Sequence, residues 1–119
     1  MAAQDAYKIV RQANNTINSH FRKTKDRCRK YMTIMKSLRK RGRLQFVKCM
    51  AEVKVSSVKK GIAYMNAHIG ECKGDKQCKK VIVQQIQSMK AWVYREEMAI
   101  EHDKTRLGEI LDVYLEQIQ

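Results

Sequence analysis

No proline interrupts the 119 residues of this chain, and glycine occurs only five times. Proline breaks helices by removing an N–H and clashing with the preceding turn, while tight β-turns draw on both residues. A chain without the first and nearly without the second is free to run in long helices. Period-two alternation is also hard to find, so the expected fold is all-α, as a single helical domain over residues 1–119. A chain of this length buries a modest core.

The apolar spacing agrees. Val10, Ala13, Ile17, Phe21, Thr24, Cys28, Met32 and Met35 recur at close to the 3.6-residue period of one helix face. A second stripe runs Leu44, Val47, Ala51, Val55, Val58, Ile62, Met65 and Ile69, and a third runs Ile82, Ile86, Met89, Val93 and Ile100. The third resumes at Leu107, Leu111, Tyr114 and Ile118. An antiparallel bundle of three long helices with a shorter C-terminal fourth is expected. Its breaks are expected at Lys36–Gly42, at Gly70–Lys76, and at His102–Thr105, where Asp103 or Thr105 could cap the last helix. Without the third break the last helix would run about 64 Å, too long for its partners.

Four cysteines, Cys28, Cys49, Cys72 and Cys78, suit two disulfides in an oxidising compartment. Folding two helices back around a loop near residue 39 brings Cys28 beside Cys49, whereas Cys49 and Cys72 would lie about 34 Å apart on one helix. Cys72 and Cys78 flank a turn of five residues. The expected pairing is Cys28–Cys49 and Cys72–Cys78, over the other two connectivities. The opening Met1-Ala2-Ala3-Gln4-Asp5 is not an apolar signal, so for a secreted chain the signal is expected to have been removed. No apolar run is long enough to span a membrane.

Charge is unevenly placed. Residues 1–60 hold 17 Lys/Arg against 3 Asp/Glu, and residues 61–119 hold 8 against 9. Such an imbalance steers acidic partners and speeds their association. The expected partner-binding residues are Arg22, Lys23, Lys25, Arg27, Arg29, Lys30, Arg39, Lys40, Arg41 and Arg43. The plainer reading, a solvated basic face, does not require the asymmetry. Aromatic residues are few around this stretch, only Phe21 and Tyr31, which weakens a base-stacking nucleic-acid role. A basic amphipathic helix could also lie on anionic lipid, but each apolar face here has partner helices to cover it.

Chemistry-bearing constellations are weak. His20, His68 and His102 stand alone, and His68 with Cys72 and Cys78 has the wrong spacing for common zinc sites. There is no Gly-rich phosphate loop and no G-x-S-x-G. Paired cysteines offer no thiolate nucleophile. Glu96, Glu97, Glu101 and Asp103 form an acidic cluster suited to complementing the basic half. Asn14-Asn15-Thr16 is a glycosylation sequon of a kind that often arises by chance, and Trp92 falls beside the third stripe as a core anchor. No catalytic residue, metal or cofactor is expected; the chain reads as a binder.

Long helices, two disulfides, a basic first half and the turn Glu71-Cys72-Lys73-Gly74-Asp75-Lys76-Gln77-Cys78-Lys79-Lys80 together resemble the anophensin/albicin salivary proteins of anopheline mosquitoes. The resemblance implies a secreted inhibitor of host defence that binds a plasma protein complex; the chain itself is expected to be a monomer. Its first implied target is the alternative complement pathway convertase. Contact-phase inhibition of coagulation and kinin release, through clotting factors or polyanions such as heparin, is the second. Leu38-Arg39-Lys40-Arg41-Gly42-Arg43 and Thr105-Arg106-Leu107-Gly108 are similar to fragments of abalone sperm lysin, which would imply a gamete-recognition bundle. That family lacks these cysteines.

Overall fold

A computed structural model describes the backbone of residues 2–118 and the side chains of residues 5–31 and 45–102. Helix α1 (Ala2–Thr24) passes through a 3-10 turn (Lys25–Cys28) into α2 (Lys30–His68). A second 3-10 turn (Ile69–Cys72) leads to α3 (Lys76–Ile118), and no strand occurs among the described residues. The molecule is an elongated all-α bundle, 68 × 23 × 16 Å.

Although its backbone is helical throughout, α2 is not one straight rod. Cys49 lies 19 residues beyond Lys30, about 28 Å along a straight helix. Yet the Cα atoms of Cys28 and Cys49 are 5.6 Å apart, joined by a disulfide. The chain therefore doubles back between Lys30 and Cys49. His20 meets Ser57 and Ile17 lies against Gly61 in the same register, so α1 and the returning part of α2 run antiparallel. The reversal falls where the sequence places it, but the expected non-helical loop at Lys36–Gly42 is absent: the backbone there keeps its helical assignment. The one interruption in this arm is instead the 3-10 turn at Lys25–Cys28, inside the run read as continuous.

A second correction concerns the C-terminus. α3 continues unbroken through His102–Thr105, so there is no separate short helix and neither Asp103 nor Thr105 caps one. That segment holds no proline or glycine, and Asp or Thr costs a helix only about 0.7 kcal/mol or less. At 43 residues, α3 is about as long as the molecule. It is not too long for its partners, because α1, the 3-10 turn and the start of α2 give the first arm a comparable length.

The core is drawn from all three helices. Ala6, Ile9 and Ala13 face Val55, Ile62 and Met65 of α2 and Ile82, Ile86, Val93 and Ile100 of α3. Gly61 makes room for Ile17: a Cβ there would stand 2.5 Å from Ile17 Cδ1 and Cγ1, so the side chain of Ile17 would have to shift. Val47, expected in the second stripe, is 48% exposed, whereas Val53 is fully buried.

The second turn forms where expected. Lys73 (φ 53°) and Gly74 (φ 82°) take the left-handed conformation and reverse the chain. The Asp75 carboxylate Oδ1 accepts from the backbone N–H groups of Gln77 (3.0 Å) and Cys78 (3.1 Å), capping α3. The Cys72–Cys78 disulfide closes this turn, and both residues are buried.

Candidate binding surface

The basic stretch gathers where α1 gives way to α2. Arg22 and Lys23 end α1, Lys25 and Arg27 belong to the 3-10 turn, and Arg29 and Lys30 follow. All six are exposed, while Cys28 among them is fully buried and bonded to Cys49. A 3-10 turn repeats every three residues rather than 3.6, so the helical stripe changes phase here. The exposed charged residues flank the buried cysteine on both sides in the chain.

Little compensates this charge locally. Arg29 approaches the Asp26 carboxylate at 3.4 Å, both side chains well exposed, and Lys30 lies 5.1 Å from the Tyr31 ring centre. Arg22, Lys23, Lys25 and Arg27 have no carboxylate partner among the described residues. The side chains of Arg39, Lys40, Arg41 and Arg43 lie outside the described residues, on helical backbone.

Elsewhere charges are paired. Lys59 of α2 meets Glu97 of α3 at 2.6 Å, and Lys48 meets Glu52 at 3.8 Å. Glu97 thus complements the basic half, as expected of the acidic cluster; Asp103 lies outside the described side chains. His68 Nδ1 is 3.1 Å from Glu71 Oε1 and its ring stacks on Tyr64 at 4.0 Å. With Cys72 and Cys78 bonded to each other, the three-ligand set with His68 does not exist. No group of three His, Cys, Asp or Glu is placed to hold a metal ion among the described residues. No described helix is long and apolar enough to cross a membrane.

No protein-family model, curated protein or solved structure matches this chain. Its surface must therefore be read from its own geometry.

Two further features of that surface escaped the sequence. Trp92 is half-buried and borders an open hollow of about 280 Å³ with Ile17, Phe21 and Val58, so it packs against the core with one edge reachable. On another side, Asn15, Thr16, Ser19, His20 and Lys23 of α1 and Lys60 of α2 border an open hollow of about 370 Å³. Read singly, His20 is a lone histidine. The register that sets Cys28 beside Cys49 also sets residue 20 beside residue 57, and that signal could have found the His20–Ser57 contact.

Proposed function

We propose that this protein is a non-catalytic binder that recognises an acidic macromolecular partner through the basic surface around the stapled junction of α1 and α2. The observation that carries the reading is the set of exposed, uncompensated cations Arg22, Lys23, Lys25 and Arg27 around Cys28. Holding like charges together costs free energy, which the disulfide offsets by constraining the unfolded chain. Two disulfides suit an oxidising, extracellular setting.

In its sharper form the proposal is a secreted salivary inhibitor of host defence that blocks the alternative complement pathway convertase. That form rests on the resemblance in cysteine spacing and charge. Contact-phase inhibition through a polyanion is the second reading, favoured by the same uncompensated cations. A hemolysis assay specific for the alternative pathway, run beside kaolin-triggered clotting, separates the two. Inhibition of hemolysis alone, saturating at the concentration of the target, is expected. Inhibition of clotting alone, abolished by excess heparin, selects the second reading.

Reversal of Arg22, Lys25 and Arg27 to glutamate tests the surface itself. For a shaped protein partner, surface plasmon resonance should show slower association with a weaker salt dependence, and dissociation changed much less. Unchanged association at low salt would remove this surface from the interface.

A further inference from the structure

We propose that the open hollow bordered by His20, Lys23 and Lys60 is a binding site for one tetrahedral oxyanion, a sulfate or phosphate group. The site shares Lys23 with the set of cations that carries the macromolecular reading above, but His20 and Lys60 lie outside that set, and binding of a small anion here does not require a macromolecular partner.

Two lysines from different helices, Lys23 of α1 and Lys60 of α2, border the same concavity, and neither has a carboxylate partner among the described residues. No acidic residue borders it. The Asn15 amide and Ser19 hydroxyl add neutral donors that no described protein group occupies, while the Thr16 hydroxyl is committed to the Gln12 carbonyl at 2.9 Å. Two ammonium groups and neutral donors bordering a hollow without a carboxylate suit an oxyanion, which accepts from all sides.

The histidine is held in place. Ser57 is fully buried and donates its single hydroxyl hydrogen to the Val53 carbonyl at 2.8 Å. At the 2.8 Å contact between Ser57 Oγ and His20 Nδ1, the ring nitrogen must therefore be the donor. That bond fixes the tautomer and the ring, and leaves Nε2 without a protein partner among the described residues. The charged residues that border the hollow with His20 are Lys23 on its own helix and Lys60 on α2; α3 contributes no residue to it.

The test is a titration of the whole, disulfide-bonded protein with sodium sulfate, followed by amide NMR at constant ionic strength with sodium chloride as balance. Saturable shifts should cluster at residues 15–23 and at Lys60, with a dissociation constant on the order of 1 mM for a half-exposed site. Phosphate titrated in parallel shows which of the two anions the site prefers. Lys23→Ala with Lys60→Ala should weaken binding at least about ten-fold. His20→Asn keeps an N–H donor for Ser57 and leaves both lysines in place, so it should still bind sulfate. Non-saturating shifts over the whole basic surface, or no shifts with either anion, overturn the proposal. Because the probe is a small anion, these failures leave the macromolecular reading standing. Saturable sulfate binding at the hollow, together with partner association unchanged by the Arg22, Lys25 and Arg27 reversal, would sink that reading alone.

Discussion

His20 and Ser57 stand 37 residues apart in the chain, yet His20 Nδ1 lies 2.8 Å from Ser57 Oγ across the interface of α1 and α2. Ser57 is the one buried polar side chain among the described residues, and it is fully satisfied: its hydroxyl donates to Val53 and accepts from His20. A buried polar pair of this kind fixes the register of two otherwise apolar faces, because sliding by one turn would strand the hydroxyl. Ser57→Ala removes the acceptor for His20 and should destabilise by about 1 kcal/mol. A double-mutant cycle with His20→Ala, read by urea denaturation, should return a coupling of similar size. Strict additivity would show that the pair contributes nothing beyond its separate contacts.

Gly61 and Ile17 give the second prediction. In an isolated helix Gly→Ala is favourable by about 1 kcal/mol. Here the added methyl meets Ile17 Cδ1 and Cγ1 at 2.5 Å and the Ala13 carbonyl at 3.3 Å, so Ile17 must leave its rotamer. Gly61→Ala should therefore destabilise in the native background and stabilise once Ile17 is alanine. Thermal unfolding of the four proteins checks the change of sign; a gain in both backgrounds would mean that the interface yields freely.

The two disulfides should differ in weight. Cys28 and Cys49 are separated by 21 positions and Cys72 and Cys78 by six. The chain-entropy model assigns about 3 kcal/mol to the larger loop and about 2 kcal/mol to the smaller. Replacing each pair by alanine and comparing urea midpoints should preserve that order. Equal losses would point to native-state packing, since Cys28, Cys72 and Cys78 are all buried.

Asp75 offers a local test. Its carboxylate accepts two backbone N–H groups at the start of α3. Asp75→Ala should cost about 1 kcal/mol, and Asp75→Asn or Ser should recover most of it. Hydrogen exchange should rise at Gln77 and Cys78 before it rises elsewhere; uniform exchange would deny Asp75 a capping role.

Much of this was legible in the chain itself. The third stripe is correct residue by residue at Ile82, Ile86, Val93 and Ile100, because α3 packs one constant face along its described length. The second stripe holds as well: Val55, Ile62 and Met65 are buried, Ala51, Val58 and Ile69 pack against the core, and Val47 is exposed. The first is right at Ala13 and Cys28 but passes over Ala6 and Ile9, which are buried, and the 3-10 turn shifts its phase at Lys25–Cys28. The six described cations of the basic surface were recognisable singly, since exposure is the ordinary fate of Lys and Arg. The hollow at His20 was not, because it needs residues from two helices held at a defined offset.

The sequence by itself determined helicity, the two disulfide pairs and the placement of charge. Each follows from short-range rules: no proline, a near-helical apolar period, and cysteines symmetric about one fold-back point. Only the tertiary structure decided where the helices truly stop and what faces what across them. Helix ends depend on small propensity differences that packing overrides: Asp103 and Thr105 stay inside α3, and Lys36–Gly42 stays helical through a reversal. Contacts across helices depend on their separation and offset, and Gly61 is where the missing side chain leaves room for Ile17 of α1. Only that offset sets His20 against Ser57 and Lys60 beside the same hollow as Lys23, an arrangement that no local rule contains.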